Sequence, residues 1–165
     1  MTTPFDDLLA ANEEFSARYP YADVQGVARA GVAIVTCMDA RIPALEMLGL
    51  RLGDAKVVRN PGGRVTAVAM EALVLAVHLL GVDRILVVPH TRCAMASSTQ
   101  EEMRARVGES AGADASALTF SVVEDQRQAL ADDVRSVREN PWIPDSVAVG
   151  GFLYNVENGR LEQVV

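Results

Sequence analysis

The stretch Val32-Ala33-Ile34-Val35-Thr36-Cys37-Met38-Asp39-Ala40-Arg41 sets the architecture of this chain. Five apolar or small residues, Val32 to Thr36, run straight into a cysteine, and a carboxylate and a guanidinium follow at alternate positions. Such a run reads as a short buried strand that stops at Cys37. A second apolar run, Ile85 to Pro89, ends in the same way at His90-Thr91-Arg92-Cys93. If the two strands are parallel neighbours, Cys37, His90 and Cys93 meet at one edge of the sheet.

Outward from these strands, the chain alternates strand and helix signals. Before them, Thr3-Pro4-Phe5-Asp6 opens a helix, with Thr3 as cap, Pro4 in the first turn and Asp6 and Asp7 at the positive end. Leu8, Leu9, Ala11 and Phe15 recur at helical spacing, Pro20 stops the helix, and Tyr21 to Ala30 reads as a loop or a reaching arm. Gly31 to Thr36 is the first strand. Ile42 to Leu50 reads as a short helix, Gly53-Asp54 as a turn, and Ala55 to Val58 as a second strand ending at Arg59-Asn60-Pro61-Gly62-Gly63-Arg64. Val65 to Leu80 is a helix closed by Gly81. Arg84 to Val88 is the third strand, Ser97 to Val107 a polar helix with Ser/Thr caps, Gly108 to Ala117 a loop and Val122 to Arg138 an amphipathic helix. Ser146 to Tyr154 is a fourth strand, and Asn158-Gly159 turns it into Leu161 to Val165, an antiparallel edge strand. The expectation is an α/β fold: a mainly parallel central sheet of four strands plus a C-terminal antiparallel edge strand, flanked by helices. Residues 1–165 read as one domain, with 1–30 as an N-terminal helix and arm.

Composition excludes several classes. The 165 residues are 50% hydrophobic, which suits a globular chain with a real core. The formal charge of -7 argues against nucleic acid and anionic membrane as partners. Ala67 to Leu80, the longest apolar stretch, is broken by Glu71 and His78 and is too short to cross a bilayer. Met1 to Asp7 has no basic region before an apolar run and does not read as a signal peptide, so the expected location is cytoplasmic.

Cys37 and Cys93 are the only two cysteines, and in a reducing compartment two thiols are metal-binding or catalytic sooner than bridged. A single disulfide between them is the alternative. Two thiolates and one imidazole suit zinc in tetrahedral geometry. Cys93 lies one helical turn past His90, so both can point at one ion. His78 lies inside a helix without a partner at metal spacing and reads as a helix-face residue, which leaves three protein ligands and one open position, as in a catalytic zinc site. Asp39 and Arg41, at alternate positions on the face of Cys37, read as a pair beside the metal; a surface ion pair is the alternative.

Cys37-x-Asp39-x-Arg41, the Arg59-Asn60 pair and His90-x-x-Cys93 together resemble the β-class carbonic anhydrases, in particular a short bacterial branch, and the resemblance covers most of the chain. It implies Zn2+ held by Cys37, His90 and Cys93, and Asp39 and Arg41 as the catalytic dyad. It further implies zinc-dependent reversible hydration of carbon dioxide to bicarbonate by a zinc-bound hydroxide, in a homodimer or higher homo-oligomer. Asp39 would accept a hydrogen bond from the hydroxide and aim it, and Arg41 would hold Asp39. Arg59 to Gly63 precede a helix, and such loops bind anions, so Asn60, Gly62 and Gly63 are candidate bicarbonate-binding residues; a Gly/Pro turn with nothing bound is the alternative. Three positions depart from the family pattern. Ala40 replaces a common Ser, Arg92 replaces an Asp or Gly, and Ala94 replaces the glycine that follows the second cysteine, where close approach or positive φ is expected. Hydrolysis of carbonyl sulfide or carbon disulfide at the same zinc is an alternative activity, and a zinc- or anion-binding protein with little turnover is another.

Overall fold

Val32–Cys37 forms the first strand, β1, and all six of its residues are buried, as a central strand covered on both faces requires. The computed structural model describes residues 3–165, so Met1 and Thr2 of the Met1 to Asp7 stretch lie outside the described residues. The other strands are β2 (Ala55–Asn60), β3 (Arg84–Val88), β4 (Ala148–Tyr154) and β5 (Leu161–Gln163). Their order across the sheet is β2-β1-β3-β4-β5. The first three pairings are parallel and β4–β5 is antiparallel, the mixed sheet expected from the sequence. Register places Thr36 beside Arg59 on one side and Val88 on the other, and Cys37 beside Asn60. The carboxyl ends of β1, β2 and β3 are therefore level, and they form the edge where open α/β sheets hold their ligands.

Among the described residues there are five α-helices: α1 (Asp6–Ser16), which precedes β1, and α2 (Ala67–Leu79), α3 (Ala94–Ser97), α4 (Gln100–Ala111) and α5 (Gln126–Arg138), which lie between strands. One face of the sheet, with Ala33, Val35, Ile85 and Val87, packs on Leu73 and Ala76 of α2 and on Leu130, Val134 and Val137 of α5. The other face, with Val32, Ile34 and Val88, packs on Ile42, Met95 and Tyr154, and Cys37 and Cys93 belong to this second cluster. Each fully buried Ile, Val or Leu here contributes about 1.5–3 kcal/mol. Caps mark the helix starts. Thr66 accepts from the Ala69 amide at 3.2 Å, Asp125 accepts from the Arg127 and Gln128 amides at 2.9 and 3.0 Å, and Thr99 and Glu102 form a reciprocal capping box.

Several sequence expectations are corrected. Thr3 does not cap α1; its hydroxyl donates to the Asp6 carboxylate at 2.6 Å, and the helix ends at Ser16, short of Pro20. The helix expected over Ile42 to Leu50 shrinks to a single 3-10 turn at Glu46–Leu48. Pro43 lacks an amide donor and disfavours helical backbone at Ile42, and Gly49 closes the turn at φ 67. The helix expected over Ser97 to Val107 is two helices, because Ser98 and Thr99 are extended between α3 and α4. α4 then runs into the expected loop as far as Ala111, where Gly112 ends it in the left-handed region. α5 starts at Gln126 rather than Val122, since Asp125 caps it. β2 continues two residues past Val58, which puts Arg59 and Asn60 on the strand instead of in a loop. In the arm, the Ala28, Arg29 and Ala30 amides donate to the Leu80, Gly53 and Asp54 carbonyls, so its last three residues are fastened to the end of α2 and to the turn before β2. Among the described residues, no helix is long and apolar enough to cross a membrane.

Candidate metal centre

β1 and β3 deliver the candidate ligands. Cys37 is the last residue of β1, and His90 follows β3 by two residues, held in line by an isolated parallel bridge to Tyr154. The turn His90-Thr91-Arg92-Cys93 brings Cys93 back towards His90. It is not the helical turn expected: Arg92 adopts φ 57, and only Ala94 begins α3. The positive φ expected at position 94 thus falls at Arg92, and Ala94 sits in ordinary helical conformation as the first residue of α3.

One sulfur each from Cys37 and Cys93 and one ring nitrogen of His90 lie within 4.8 Å of one another, and all three residues are buried. Both cysteines are free thiols, which removes the disulfide alternative. His90 Nδ1 lies 2.8 Å from the Thr91 carbonyl and donates to it, so Nε2 carries the lone pair. Among the described residues Nε2 has no hydrogen-bond partner, although the side chain is only 1% exposed. An orphaned buried nitrogen beside two buried thiols fits a metal ion. Burial pushes the His90 imidazole below its ordinary value, which keeps it neutral as a ligand must be. Burial, and then the neighbouring Cys37 thiol, pushes the Cys93 thiol up, so a cation is needed to draw this sulfur into its anionic form.

Asp39 and Arg41 sit beside this set, on the loop beyond Cys37. Arg41 donates from Nε to Asp39 Oδ1 at 2.9 Å and from Nη2 to Oδ2 at 2.7 Å, and its backbone amide adds a third bond at 2.9 Å. Hydrogen bonds from Arg41 hold the Asp39 carboxyl well below the usual carboxylate range, against a smaller opposing effect of burial. Asp39 Oδ2 lies 3.8 Å from His90 Nε2, so the pair faces the ligand set. His78 lies on α2, where Nε2 donates to the Trp142 carbonyl at 2.8 Å, away from the candidate ligands.

The remaining candidates are occupied structurally. The Asn60 amide donates to the Arg64 carbonyl at 2.7 Å and accepts from the Arg64 amide at 2.8 Å. Gly62 and Gly63 are buried at φ 82 and φ 66, and a Cβ on Gly63 would stand 2.9 Å from the Cys37 amide nitrogen. Three contacts around the site escaped the sequence reading. Arg59 donates to the carbonyls of Cys37, Asp39 and Ile42. Gln126 donates to the His90 carbonyl at 2.9 Å. Asp133 accepts from Arg64 at 2.6 and 3.0 Å, tying the loop after β2 to α5. No local motif announces these partners; only the Arg59-Asn60 pair is visible as a signal.

A profile of the family described as carbonic anhydrase matches residues 32–161. Beta-carbonic anhydrase 1 of Mycobacterium tuberculosis is 32% identical over 165 residues, covering 98% of each chain. A carbon disulfide hydrolase of Acidithiobacillus thiooxidans is 29% identical over 152 residues, covering 78% of this chain and 70% of its own. Among solved structures, a carbonic anhydrase from Streptococcus mutans superposes with a TM-score of 0.87 at 32% identity, covering 100% of this chain and 99% of the other.

Proposed function

The chain belongs to the β-carbonic anhydrase family, and on that premise we propose that Cys37, His90 and Cys93 hold zinc and that the site reversibly hydrates carbon dioxide to bicarbonate. Membership makes the chain an enzyme, a carbonate dehydratase. The observation that carries the choice of metal site is the unpartnered, buried Nε2 of His90 between two buried free thiols. Two sulfurs and one imidazole are a soft donor set that favours zinc over magnesium or calcium. When bound, zinc would supply Lewis acidity, bringing the pKa of water to about 7.

The chain's own residues do the positioning. Asp39, ionised and acceptor-only, takes a hydrogen bond from the attacking water and turns a lone pair towards carbon dioxide. Arg41 keeps that carboxylate charged and holds both oxygens in plane. His90 Nδ1–H, fixed on the Thr91 carbonyl, sets the tautomer that points Nε2 inward. Bicarbonate binding by Asn60, Gly62 and Gly63 would act through the backbone, because the Asn60 side chain is engaged on both ends by Arg64.

Hydrolysis of carbon disulfide or carbonyl sulfide on the same zinc is the second reading, favoured by the similarity to a carbon disulfide hydrolase. Stopped-flow hydration of carbon dioxide by zinc-loaded protein, with both sulfur substrates assayed alongside, tests the two. Hydration with turnover of neither sulfur compound supports the first reading; sulfide release without hydration supports the second. Two unpaired thiols suit a reducing compartment, and we place the protein in the cytoplasm. The exposed apolar side chains of α1, Leu8, Leu9 and Phe15, support a homodimer or a higher assembly.

A further inference from the structure

The dyad of Asp39 and Arg41 is internal to one loop. Its members are two residues apart, and all three bonds between them stay within that loop. They hold Asp39 to the loop, but they do not hold the loop to the sheet. If the loop moved, carboxylate and guanidinium would move together and lose their place opposite His90 Nε2.

The attachment comes from β2. Beyond Cys37 the chain leaves the ladder, and its carbonyls lose the partners that a strand would supply. Arg59, which pairs with Thr36 across the β1–β2 ladder, reaches over this gap. Its Nε donates to the Cys37 carbonyl at 2.9 Å, and its Nη2 donates to the Asp39 carbonyl at 2.9 Å and the Ile42 carbonyl at 3.0 Å. One rigid guanidinium thus fastens both ends and the middle of the segment that carries the dyad. The other hydrogen bond to the sheet in this segment, from the Met38 amide to the Asn60 carbonyl at 3.1 Å, lies before Asp39. Ile42, 2% exposed, anchors the far end by burial. The Asp39 carbonyl also accepts from the Ile42 amide at 3.2 Å, but that bond lies within the loop; among the described residues, Arg59 is the donor that ties the Asp39 backbone to the sheet.

We propose that Arg59 is a positioning residue for the hydration reaction, which fixes the Asp39–Arg41 pair opposite His90 through the three loop carbonyls. The proposal rests on the reading of Asp39 as the group that orients the attacking water. A lysine could satisfy part of this arrangement, because its ammonium is a compact donor without the planar fork.

Hydrogen exchange by mass spectrometry on the metal-free protein tests the positioning without reference to activity. The amides of Arg41 and Ile42 donate to the Asp39 carboxylate and carbonyl, so they report on the loop. In Arg59→Ala, the segment 38–42 should exchange at least tenfold faster, while β3 keeps its wild-type rate. Equal acceleration of both segments, or no change in either, overturns the proposal. The second readout is kinetic. Zinc content should stay near wild type, kcat should fall about 10- to 100-fold, as a misplaced group costs, and KM should hold within about twofold. Arg59→Lys should recover part of kcat. Faster exchange of 38–42 with unchanged kcat would retain the loop role and overturn the role in hydration, and loss of activity in proportion to lost zinc would overturn it also. If Arg59→Ala does not fold, Arg59→Gln, which keeps two of the three methylenes and one amide donor group, is read by the same two measurements. Wild-type protein without hydration activity would refute the proposed function, whereas the exchange result stands apart from it.

Discussion

Asp39 Oδ2 stands 3.8 Å from His90 Nε2, and it is the same oxygen that receives Arg41 Nη2 at 2.7 Å. One carboxylate oxygen is therefore held by the arginine and faces the donor set that would bind the metal without bonding to it. This position sets the expected pH behaviour. Hydrogen bonds from Arg41 hold the Asp39 carboxyl well below its ordinary value, so it stays ionised from pH 6 to pH 9. By linkage, the stability that this pair contributes is present above the ordinary carboxylate range and is lost progressively as the pH falls from that range down through the lowered value. The rise of activity belongs to deprotonation of the attacking water, so hydration should be low near pH 6 and climb towards pH 9. Arg41→Ala leaves the carboxylate without its partner and free to compete for the metal's open position, so its rise should move to higher pH. The pH profiles of kcat/KM for both proteins check this; a flat wild-type profile, or an Arg41→Ala profile displaced to lower pH, counts against it.

Zinc retention should depend on each ligand. Cys93→Ser replaces a thiolate with a hydroxyl, a poor zinc ligand at neutral pH, and should lose most of about one zinc per chain. Metal analysis after desalting measures it. Full occupancy in that variant would remove Cys93 from the ligand set.

Gly63 and Gly81 separate two effects of adding a methyl group. Both have positive φ, at 66 and 72, but a Cβ at Gly63 would stand 2.9 Å from the Cys37 nitrogen, whereas at Gly81 it meets nothing within 4 Å. Gly81→Ala should cost about 1 kcal/mol, the left-handed penalty alone. Gly63→Ala should cost clearly more and weaken zinc binding, since the backbone of Cys37 must shift. Urea unfolding of the two variants, with zinc titration, decides the matter; equal costs would refute the clash.

Arg92 carries backbone strain between two candidate ligands. Its φ of 57 suits glycine, and its side chain pairs with Glu157 at 2.5 Å in an exposed setting worth little. Arg92→Gly and Arg92→Ala both remove that pair, so their difference isolates the backbone. The glycine variant should be the more stable by about 1 kcal/mol in urea unfolding. Equal stability would mean the turn relaxes at no cost.

Assembly should follow from α1. Among the described residues no side chain of this 11-residue helix is buried, and Phe5, Leu8, Leu9 and Phe15 are half-exposed or more. An isolated helix of that length is marginal in water, so a cover from another copy is expected. Light scattering at micromolar concentration should give at least a dimer mass, and Leu9→Asp with Phe15→Asp should lower it. A monomeric wild type with full activity would refute the expectation.

The parts of this protein that could be read along the chain are those with short-range causes. Val32 to Thr36 and Ile85 to Pro89 are apolar or small over their own length, and the two runs end at a cysteine and a histidine; Cys37, His90 and Cys93 meet because the two strands are parallel neighbours. Asn158-Gly159 announced the final hairpin, because its turn needs a positive φ, observed as 71 at Gly159. Other features depended on partners far along the chain. The Cys37 carbonyl meets Arg59 across 22 positions, and Asp133 meets Arg64 across 69. Asp133 on an otherwise amphipathic helix gave no sign that it would be buried against an arginine of the β2 loop. Arg92 offered no hint of its left-handed backbone, since an arginine does not prefer it; the need to swing Cys93 back to His90 imposed it. Periodicity and capping act over one or two turns of chain, whereas carbonyls left over at a strand end take whichever donor the packed sheet brings near, and that choice exists only once the strands have paired.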